Sequence, residues 1–267
     1  MSDQRVGVVG DATLVGAVEA AGGEPIVVDL AGGEPGVGDL EDDGPVTDTA
    51  GLADIPIVVT ASEDALVDVV RWAVERSLAD APAVLAVDVE GVGAVSASDL
   101  QIALERYLAG DVRTVRHPVV RAKTQSTAVA ALFDVALVAA EPARISEFSV
   151  HWGEEPVDRF RADGVVASTP AGSVGYNRAA GGPLVAPESD VLSVVPIAPF
   201  ATHADRWVLP TEGLRLAVER DETPVELLAD GRTELSVSRG DPVDVVRSGD
   251  LEVVVVPESE PPLHSDF

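Results

Sequence analysis

The segment from Asp163 to Val185 (DGVVASTPAGSVGYNRAAGGPLV) holds the residue types best suited to ligand binding. A strand-like run, Val165 to Ser168, leads into Thr169-Pro170-Ala171-Gly172-Ser173 and then into a helix start rich in small residues. Small residues let a ligand or another backbone approach closely, and free N–H groups at a helix start favour anionic or polar groups. Tyr176 adds a flat face with a polar tip. A plain connector is the alternative, because Gly- and Ser-rich junctions between strand and helix are common.

Three other patterns point to chemistry less strongly. Gly7-Val8-Val9-Gly10-Asp11 lacks the G-x-G-x-x-G spacing of a dinucleotide fingerprint, which favours a simple turn between a strand and a helix. The four histidines are scattered without metal-ligand spacing, so we predict no metal site built from protein side chains. Ser173, His203 and Asp205 suggest a hydrolase only weakly, since the chain has no G-x-S-x-G elbow.

The elements that must position these residues fall into two kinds. Strands and helices alternate up to about residue 115, which predicts a parallel sheet covered on both faces. After that point short strand-like runs predominate, which predicts a β-sandwich. We therefore predict an α/β domain over 1–115 and a β-rich domain over 116–267, with an exposed loop at 31–51 and a frayed polar tail.

The sequence predicts the following strands and helices. The predicted strands of the first domain cover 5–9, 25–28, 55–60 and 83–87, and its helices cover 12–21, 66–77 and 97–109. Predicted strands of the second domain cover 132–139, 143–150, 164–168, 190–195, 213–219, 225–229, 234–238, 243–246 and 251–256, with one short helical stretch at 171–180.

The composition bounds the environment and the partners. Lys and Arg number 18 against 46 Asp and Glu, which gives a net charge of −28, and Lys123 is the only lysine. An even coat of carboxylates fits a protein of a halophile's cytoplasm, where salt screens self-repulsion; an acidic protein from an ordinary cytoplasm is the alternative. The acidity argues against nucleic acid as a partner. The absence of cysteine excludes disulfides, and no apolar run reaches the ~20 residues that span a membrane.

The pattern D-G-x-x-x-S-T-P-x-G-S-x-x-Y followed by G-G-P in Asp163 to Val185 resembles the signature of the NAD kinase family. Val194 to Pro210 and Leu228 to Gly240 resemble later stretches of that family, and the first domain fits more loosely. The resemblance implies an α/β domain joined to a β-rich dinucleotide-binding domain. It also implies transfer of a phosphoryl group from ATP or another polyphosphate to the 2′-hydroxyl of NAD, giving NADP, with Mg²⁺, by a homodimer or homotetramer.

The resemblance also implies roles for particular residues. Tyr176 stands where the family packs a tyrosine against the dinucleotide, and the family's Asn-Glu pair, which holds the adenosine, aligns with Phe133-Asp134. A carboxylate at Asp134 can still accept both hydrogen bonds of a ribose diol, although the amide is lost. The other residues expected at the dinucleotide are Arg161, Asp163, Thr169, Gly172, Ser173 and Ala198.

The main departure from the family lies at Ala61-Ser62-Glu63-Asp64-Ala65, where the family carries G-G-D-G-T. Glu63 takes the place of the family's catalytic aspartate and is the candidate base. The same residues are also typical of a helix N-cap with an acidic first turn. Two functions therefore stay open: an NAD kinase, or a binding or regulatory module that keeps the dinucleotide site without phosphoryl transfer.

Overall fold

The computed structural model describes residues 5–30, 52, 54–141, 145–201, 204–221 and 223–263. The chain divides into two compact units: Met1–Val115 with Leu251–Pro261, and Arg116–Asp250 with Pro262–Phe267. The first unit thus includes a late segment that the predicted domain 1–115 leaves out. The predicted loop at 31–51 falls outside the described residues. None of the described helices is long and apolar enough to cross a membrane.

The described strands and helices have the following bounds. The strands are β1 (Arg5–Val9), β2 (Glu24–Val28), β3 (Ile57–Thr60), β4 (Ala83–Ala86), β5 (Arg113–Lys123), β6 (Ala128–Ala131), β7 (Asp134–Ala139), β8 (Ser146–Trp152), β9 (Glu155–Ala162), β10 (Gly164–Ser168), β11 (Val191–Ile197), β12 (Trp207–Pro210), β13 (Leu214–Arg220), β14 (Val225–Ala229), β15 (Arg232–Val237) and β16 (Pro242–Val255). The α-helices are α1 (Val15–Ala20), α2 (Glu63–Arg76), α3 (Leu100–Ala109) and α4 (Tyr176–Ala179), and short 3₁₀ turns cover Ala12–Leu14, Leu78–Asp80 and Ala171–Val174.

The first unit is built on a parallel sheet with the strand order β2-β1-β3-β4. The end of β16 adds a fifth parallel strand, where Val253 pairs with Val84. Every residue of β3 is buried, as expected for a parallel strand covered on both faces. Because β2 and β3 lie on opposite sides of β1, the connections that follow β1 and β3 diverge at the carboxyl edge, where open α/β sheets bind ligands.

Helix α2 begins three residues before the predicted start at Leu66. The Ser62 hydroxyl accepts a hydrogen bond from the N–H of Ala65 at 3.2 Å, and this cap brings Glu63 and Asp64 into the first turn. A side-chain cap satisfies a helix N–H that would otherwise lack a partner, so the helix can begin among polar residues that precede the apolar periodicity.

The second unit is an antiparallel β-sandwich. One sheet has the order β12-β11-β10-β7-β14-β15. The other sheet contains β16, β13, β8 and β9 in that order, with β5 and β6 as a further pair. Residues on the inner faces of both sheets, among them Leu137, Val165, Phe148 and Leu216, form one buried core. The predicted fold class, an α/β part and a β-rich sandwich, is therefore confirmed.

The outer face of the six-stranded sheet carries helix α4, and we refer to it as the α4 face. Alternation along the strands places Asp134, Ser168 and Ser193 on it in cross-strand register, beside the row Ala136, Val166 and Val195. Ala180, at the end of α4, packs against that apolar row. Of the residues expected at the dinucleotide, this face carries Asp134 and, on α4, Tyr176.

The observed strands differ from the prediction in two ways: two predicted strands are joined into one, and four strands were not predicted. The predicted strands 243–246 and 251–256 form the single strand β16, in which polar residues from Arg247 to Asp250 continue the ladder. Strands β5, β6, β9 and β12 were not expected. β9 and β12 are edge strands with mostly exposed or half-exposed side chains, so their sequences lack the apolar pattern that marks a buried strand.

Candidate functional site

A cleft of about 500 Å³ opens at the carboxyl edge of the first unit's sheet. Its walls come from the ends of β1 and β2, the connections that follow them and the first turns of α2. The polar side chains that line it are Ser62 and the carboxylates of Asp29, Asp64 and Asp68. The cleft is thus acidic, and it would repel an anionic ligand unless cations neutralised these groups.

The turn that replaces the glycine motif packs closely against the turn after β1. Gly10 has φ +100°, and a Cβ on it would lie 2.8 Å from the Cβ of Ala65 and 3.4 Å from that of Ala61. The Ala61 N–H donates to the Val9 carbonyl at 3.1 Å. The two alanine methyl groups therefore fill the space beside Gly10, and the N–H of Ala65 is already bonded to Ser62.

Two of the predicted structural interpretations are confirmed here. Ser62, Glu63 and Asp64 form a helix cap and an acidic first turn. Gly10 and Asp11 form a simple turn into the 3₁₀ helix, since Asp11 Oδ1 accepts from the Thr13 N–H at 2.8 Å. The hydrogen bonds from Thr13 lower the pKa of Asp11 below its ordinary value.

Glu63 is exposed in the first turn of α2. The described residues that line the cleft include Asp64, its neighbour, but not Glu63. The role of Glu63 as a base stays a prediction, and Asp64 is the carboxylate of this motif that faces the cleft.

In the second unit, a dense hydrogen-bond network fixes the backbone at Asp134. The Asp230 carboxylate accepts three backbone N–H bonds, from Leu132 at 2.9 Å, Phe133 at 2.7 Å and Asp134 at 3.1 Å. Thr169 bonds the same segment: its hydroxyl donates to the Leu132 carbonyl at 2.5 Å, and its N–H donates to the Phe133 carbonyl at 2.9 Å. Asp134 itself is buried at the start of β7.

Gly172 is needed where the 3₁₀ turn after β10 meets this segment. A Cβ on Gly172 would lie 2.1 Å from the Phe133 carbonyl oxygen, which leaves no room for any side chain. The Ser173 hydroxyl is also engaged internally: it donates to the Pro170 carbonyl at 2.7 Å and accepts from the Val185 N–H at 3.1 Å. Thr169, Gly172 and Ser173 are buried.

Tyr176 lies on the α4 face with 41% of its surface exposed. Partial burial raises the pKa of its phenol above the ordinary value, and the nearby charges of Asp134 and Asp163 raise this pKa further. The α4 face therefore carries a partly exposed aromatic ring on the same side of the sheet as Asp134. An aromatic plane beside hydrogen-bond acceptors suits a nucleoside, whose base stacks and whose ribose donates.

Asn177 anchors the helix that carries Tyr176. Its amide nitrogen donates to the carbonyls of Ser173 at 3.1 Å and Pro183 at 2.8 Å, and its oxygen accepts from the Ser193 hydroxyl at 2.7 Å. A Cβ on Gly182 would lie 2.2 Å from that oxygen, so Gly182 is required for the approach. Beside Ser193, the hydroxyl of Ser168 is buried without a hydrogen-bond partner among the described residues.

Arg161, Asp163 and Ala198 lie at the opposite end of β10 from Asp134. The Asp163 N–H donates to the Ile197 carbonyl at 3.0 Å, and the Phe200 N–H donates to the Arg161 carbonyl at 2.9 Å. Ala198, between these bonds, is exposed and has φ +44°. The Arg161 guanidinium lies 5.9 Å from the centre of the Phe200 ring, which is 71% exposed.

Two residues of the second unit were not expected to matter. Asp230 belongs to the Asp-Gly turn of Leu228 to Gly240, and Asn177 follows Tyr176 directly. The motifs next to these two residues were recognised in the sequence. Some of their hydrogen-bond partners, however, lie in other strands, which the motifs do not show. Of the other residues weighed for chemistry, Asp205 is exposed in a coil segment, and His203 and His264 lie outside the described residues.

Several known proteins are similar to this chain. Residues 132–257 match the family described as the ATP-NAD kinase C-terminal domain. The chain is 36% identical to the NAD kinase of Methanosarcina barkeri over 118 residues, which are 43% of this chain and 42% of that protein. It is 29% identical to the NAD kinase of Geobacter sp. over 213 residues, 76% of this chain and 72% of that protein. The aligned region thus spans less than half the length of the first relative.

Two solved structures share the fold. Yeast NADH kinase complexed with NADH superposes with a TM-score of 0.76 at 19% identity, over 96% of this chain and 84% of that one. An NAD kinase from Archaeoglobus fulgidus in complex with ATP superposes with a TM-score of 0.67 at 22% identity, over 94% and 92%. The resemblance seen in the sequence is confirmed for the second half of the chain, where residues 132–257 match the ATP-NAD kinase C-terminal domain family.

Proposed function

We propose that this protein is an NAD kinase that transfers the terminal phosphoryl group of ATP to the 2′-hydroxyl of NAD and so forms NADP. The observation that carries the proposal is the α4 face, which presents the partly exposed Tyr176 on α4 and Asp134 on β7 within the part of the chain that matches the family. The curated relatives named NAD kinase, the yeast structure with NADH and the archaeal structure with ATP support it.

The residues of the α4 face divide into contacts and supports. We propose that Tyr176 stacks on the dinucleotide and that Asp134 accepts hydrogen bonds from the adenosine ribose, with Asp163 and Arg161 at the other end of β10. Thr169, Gly172 and Ser173 are buried, and so they serve the site by fixing the backbone that presents Asp134 and Tyr176.

The base of the reaction would come from the first turn of α2. Glu63 is the aligned candidate, and Asp64 is the candidate that lines the cleft. Phosphoryl transfer depends on positioning and charge neutralisation more than on covalent chemistry, so a base need only take the proton of the attacking hydroxyl. The 2′-oxygen bonds to the γ-phosphorus, the bond to the β–γ bridging oxygen breaks, and ADP leaves.

Magnesium fits this proposal as part of the donor. The described residues contain no group of three or more His, Asp or Glu side chains that could hold a metal ion. Proteins usually bind Mg²⁺ through one or two carboxylates together with substrate phosphates. We therefore propose that Mg²⁺ enters as the complex with ATP or another polyphosphate, where it also offsets the charge of Asp64 and Asp68.

The oligomer and the environment are also proposals. We propose a homodimer or homotetramer that associates through the β-rich unit, as the resemblance to the NAD kinase family implies. A halophile's cytoplasm is supported by the net charge of −28 with a single lysine.

The deciding experiment is an assay for NADP in molar KCl with purified protein, NAD, ATP and MgCl₂, alongside a calorimetric titration with NAD. NADP formation that depends on ATP supports the kinase. Binding of NAD without NADP formation from ATP, GTP or polyphosphate would instead indicate the regulatory module. Tyr176→Ala should weaken NAD binding by about 1–3 kcal/mol, as for loss of a stacking aromatic, while Tyr176→Phe should bind nearly as the wild type does.

A further inference from the structure

We propose that Asp230 is the positioning residue of the dinucleotide site: it sets the place and orientation of Asp134, and thereby the preference of the site for a ribose diol. This inference rests on the proposed function, in which Asp134 accepts hydrogen bonds from the adenosine ribose. Asp230 acts through Asp134.

The contacts between the two residues run in both directions. The two oxygens of the Asp230 carboxylate accept the N–H groups of Leu132, Phe133 and Asp134, and the Asp230 N–H donates to the Asp134 carbonyl at 2.9 Å. Asp230 is only 8% exposed, so water competes weakly for these bonds. Four hydrogen bonds thus join one residue of the β14–β15 turn to the backbone on which Asp134 is carried.

An aspartate is required for this role. A carboxylate is acceptor-only, so both its oxygens can face N–H groups. An asparagine would point N–H donors at one of those N–H groups and leave buried donors without partners. The residue also has φ +50°, a left-handed conformation that Asp adopts more readily than most side chains, and the following Gly231 has φ +71°.

The opposite side of the same segment leaves it no freedom to compensate. Thr169 bonds the carbonyls of Leu132 and Phe133, and Gly172 packs against the Phe133 carbonyl. Asp230 thus binds the backbone N–H groups of residues 132–134, and Thr169 binds the carbonyls of Leu132 and Phe133. These bonds together fix the backbone conformation of the segment. Two hydrogen bonds to a vicinal diol demand a carboxylate placed to within about 0.5 Å, and such placement depends on the groups that support it.

The test compares AMP with 2′,3′-dideoxy-AMP as titrants of the full-length protein in molar KCl. The wild type should bind AMP about 10- to 100-fold more tightly than 2′,3′-dideoxy-AMP, because the diol adds hydrogen bonds to a charged acceptor. Asp134→Asn should reduce this preference directly. Asp230→Asn should reduce it to a similar degree, and the double variant should lose nothing more, because the two residues act as a unit. Asp244→Asn, which breaks an exposed pair with Arg215 in the same unit, is the matched control and should keep the preference.

The outcomes separate this inference from the kinase proposal. A folded Asp230→Asn variant that keeps the wild-type preference for AMP, or losses that add in the double variant, would overturn the role of Asp230 alone. If Asp230→Asn does not fold, Asp230→Glu serves instead: it keeps the charge but displaces the carboxylate by one methylene, and an unchanged preference overturns the inference. A wild type that binds with the diol preference but forms no NADP removes the kinase and leaves the role of Asp230 standing. A wild type that binds neither NAD nor AMP overturns both.

Discussion

The Ser193 hydroxyl donates a hydrogen bond to Oδ1 of Asn177 at 2.7 Å, and through it strand β11 holds the short helix that carries Tyr176. Both groups are fully buried. A helix of four residues has little stability of its own, so its place on the sheet depends on such tertiary bonds.

Asn177→Ala should therefore destabilise the second unit by about 2–4 kcal/mol. The change leaves the buried Ser193 hydroxyl and Ser173 carbonyl, and the part-buried Pro183 carbonyl, without this partner. Chemical denaturation followed by circular dichroism measures the loss. The exposed neighbour Arg178→Ala is the control and should change stability by less than about 0.5 kcal/mol. Equal stabilities for the two variants would contradict the anchoring role.

The titration of Tyr176 should report on Asp134. Burial, then the charges of Asp134 and Asp163, raise the pKa of this phenol above 10.0. The folded state thus binds the proton more tightly than the unfolded state, so this group's contribution to stability is complete below pH 10 and is lost as the pH rises through the folded pKa. In a Tyr107→Phe background, Asp134→Asn should lower the pKa of Tyr176 in an ultraviolet titration. Asp244→Asn should leave it unchanged, and a shift with Asp244→Asn but not Asp134→Asn would refute the arrangement.

Gly10→Ala should destabilise the first unit by about 2–4 kcal/mol. The new methyl group would lie 2.8 Å from the Cβ of Ala65, and φ +100° is strained for any other residue. Gly22→Ala is the matched control, since Gly22 has φ +88° but no neighbour within 4 Å, and should cost only about 1 kcal/mol. Hydrogen exchange of the α2 amides measures both. Ala65→Gly added to Gly10→Ala should restore part of the loss; no restoration would mean that the contact with Ala65 is not the cause.

The catalytic base can be identified by a pair of variants. If Glu63 is the base, Glu63→Gln should abolish NADP formation and leave NAD affinity nearly unchanged, because removal of a base acts on the transition state. Asp64→Asn should then have a small effect. If instead Asp64→Asn abolishes NADP formation and Glu63→Gln has a small effect, the base is Asp64, which lines the cleft. Full activity in both variants would exclude a base from the first turn of α2.

Salt should stabilise the fold. With a net charge of −28 and a screening length that falls from about 10 Å at 0.1 M to about 3 Å at 1 M, the melting temperature should rise by several degrees between 0.1 M and 2 M KCl. Sucrose at the same osmolality stabilises through surface exclusion without screening, so it separates the two effects. A melting temperature that stays flat or falls in KCl would contradict the adaptation to high salt.

Local pattern was enough to predict the elements that are buried and regular. The all-buried strand β3, the strand β10 and the strand β14 lie within or match their predicted ranges, because continuous or alternating apolar residues mark them. Strands β9 and β12 have no such mark, since an edge strand exposes much of its surface.

The candidate site was predictable only in part. Tyr176, Asp163 and Thr169 belong to one continuous motif, so their residue types could be recognised together. The bonds of Asp230 join residues 96 to 98 positions apart, and nothing in a local window relates an Asp-Gly turn to the start of β7. Likewise, the burial of Thr169 and Ser173 depends on β7 and Val185, which a motif does not reveal.

The place of Leu251–Pro261 in the first unit has a consequence for synthesis on the ribosome. Strand β4 and the segment of β16 that pairs with it, at Val84 and Val253, are separated along the chain by Arg116–Asp250, the main segment of the second unit. Once residues up to Asp250 have left the ribosome, the main segment of the β-rich unit is available to fold. At that stage the α/β sheet still lacks its fifth strand, so β4 is an unpaired edge strand. The first part of the chain to emerge is thus the last to be completed, and until then its unpaired edge is the segment most in need of protection from aggregation.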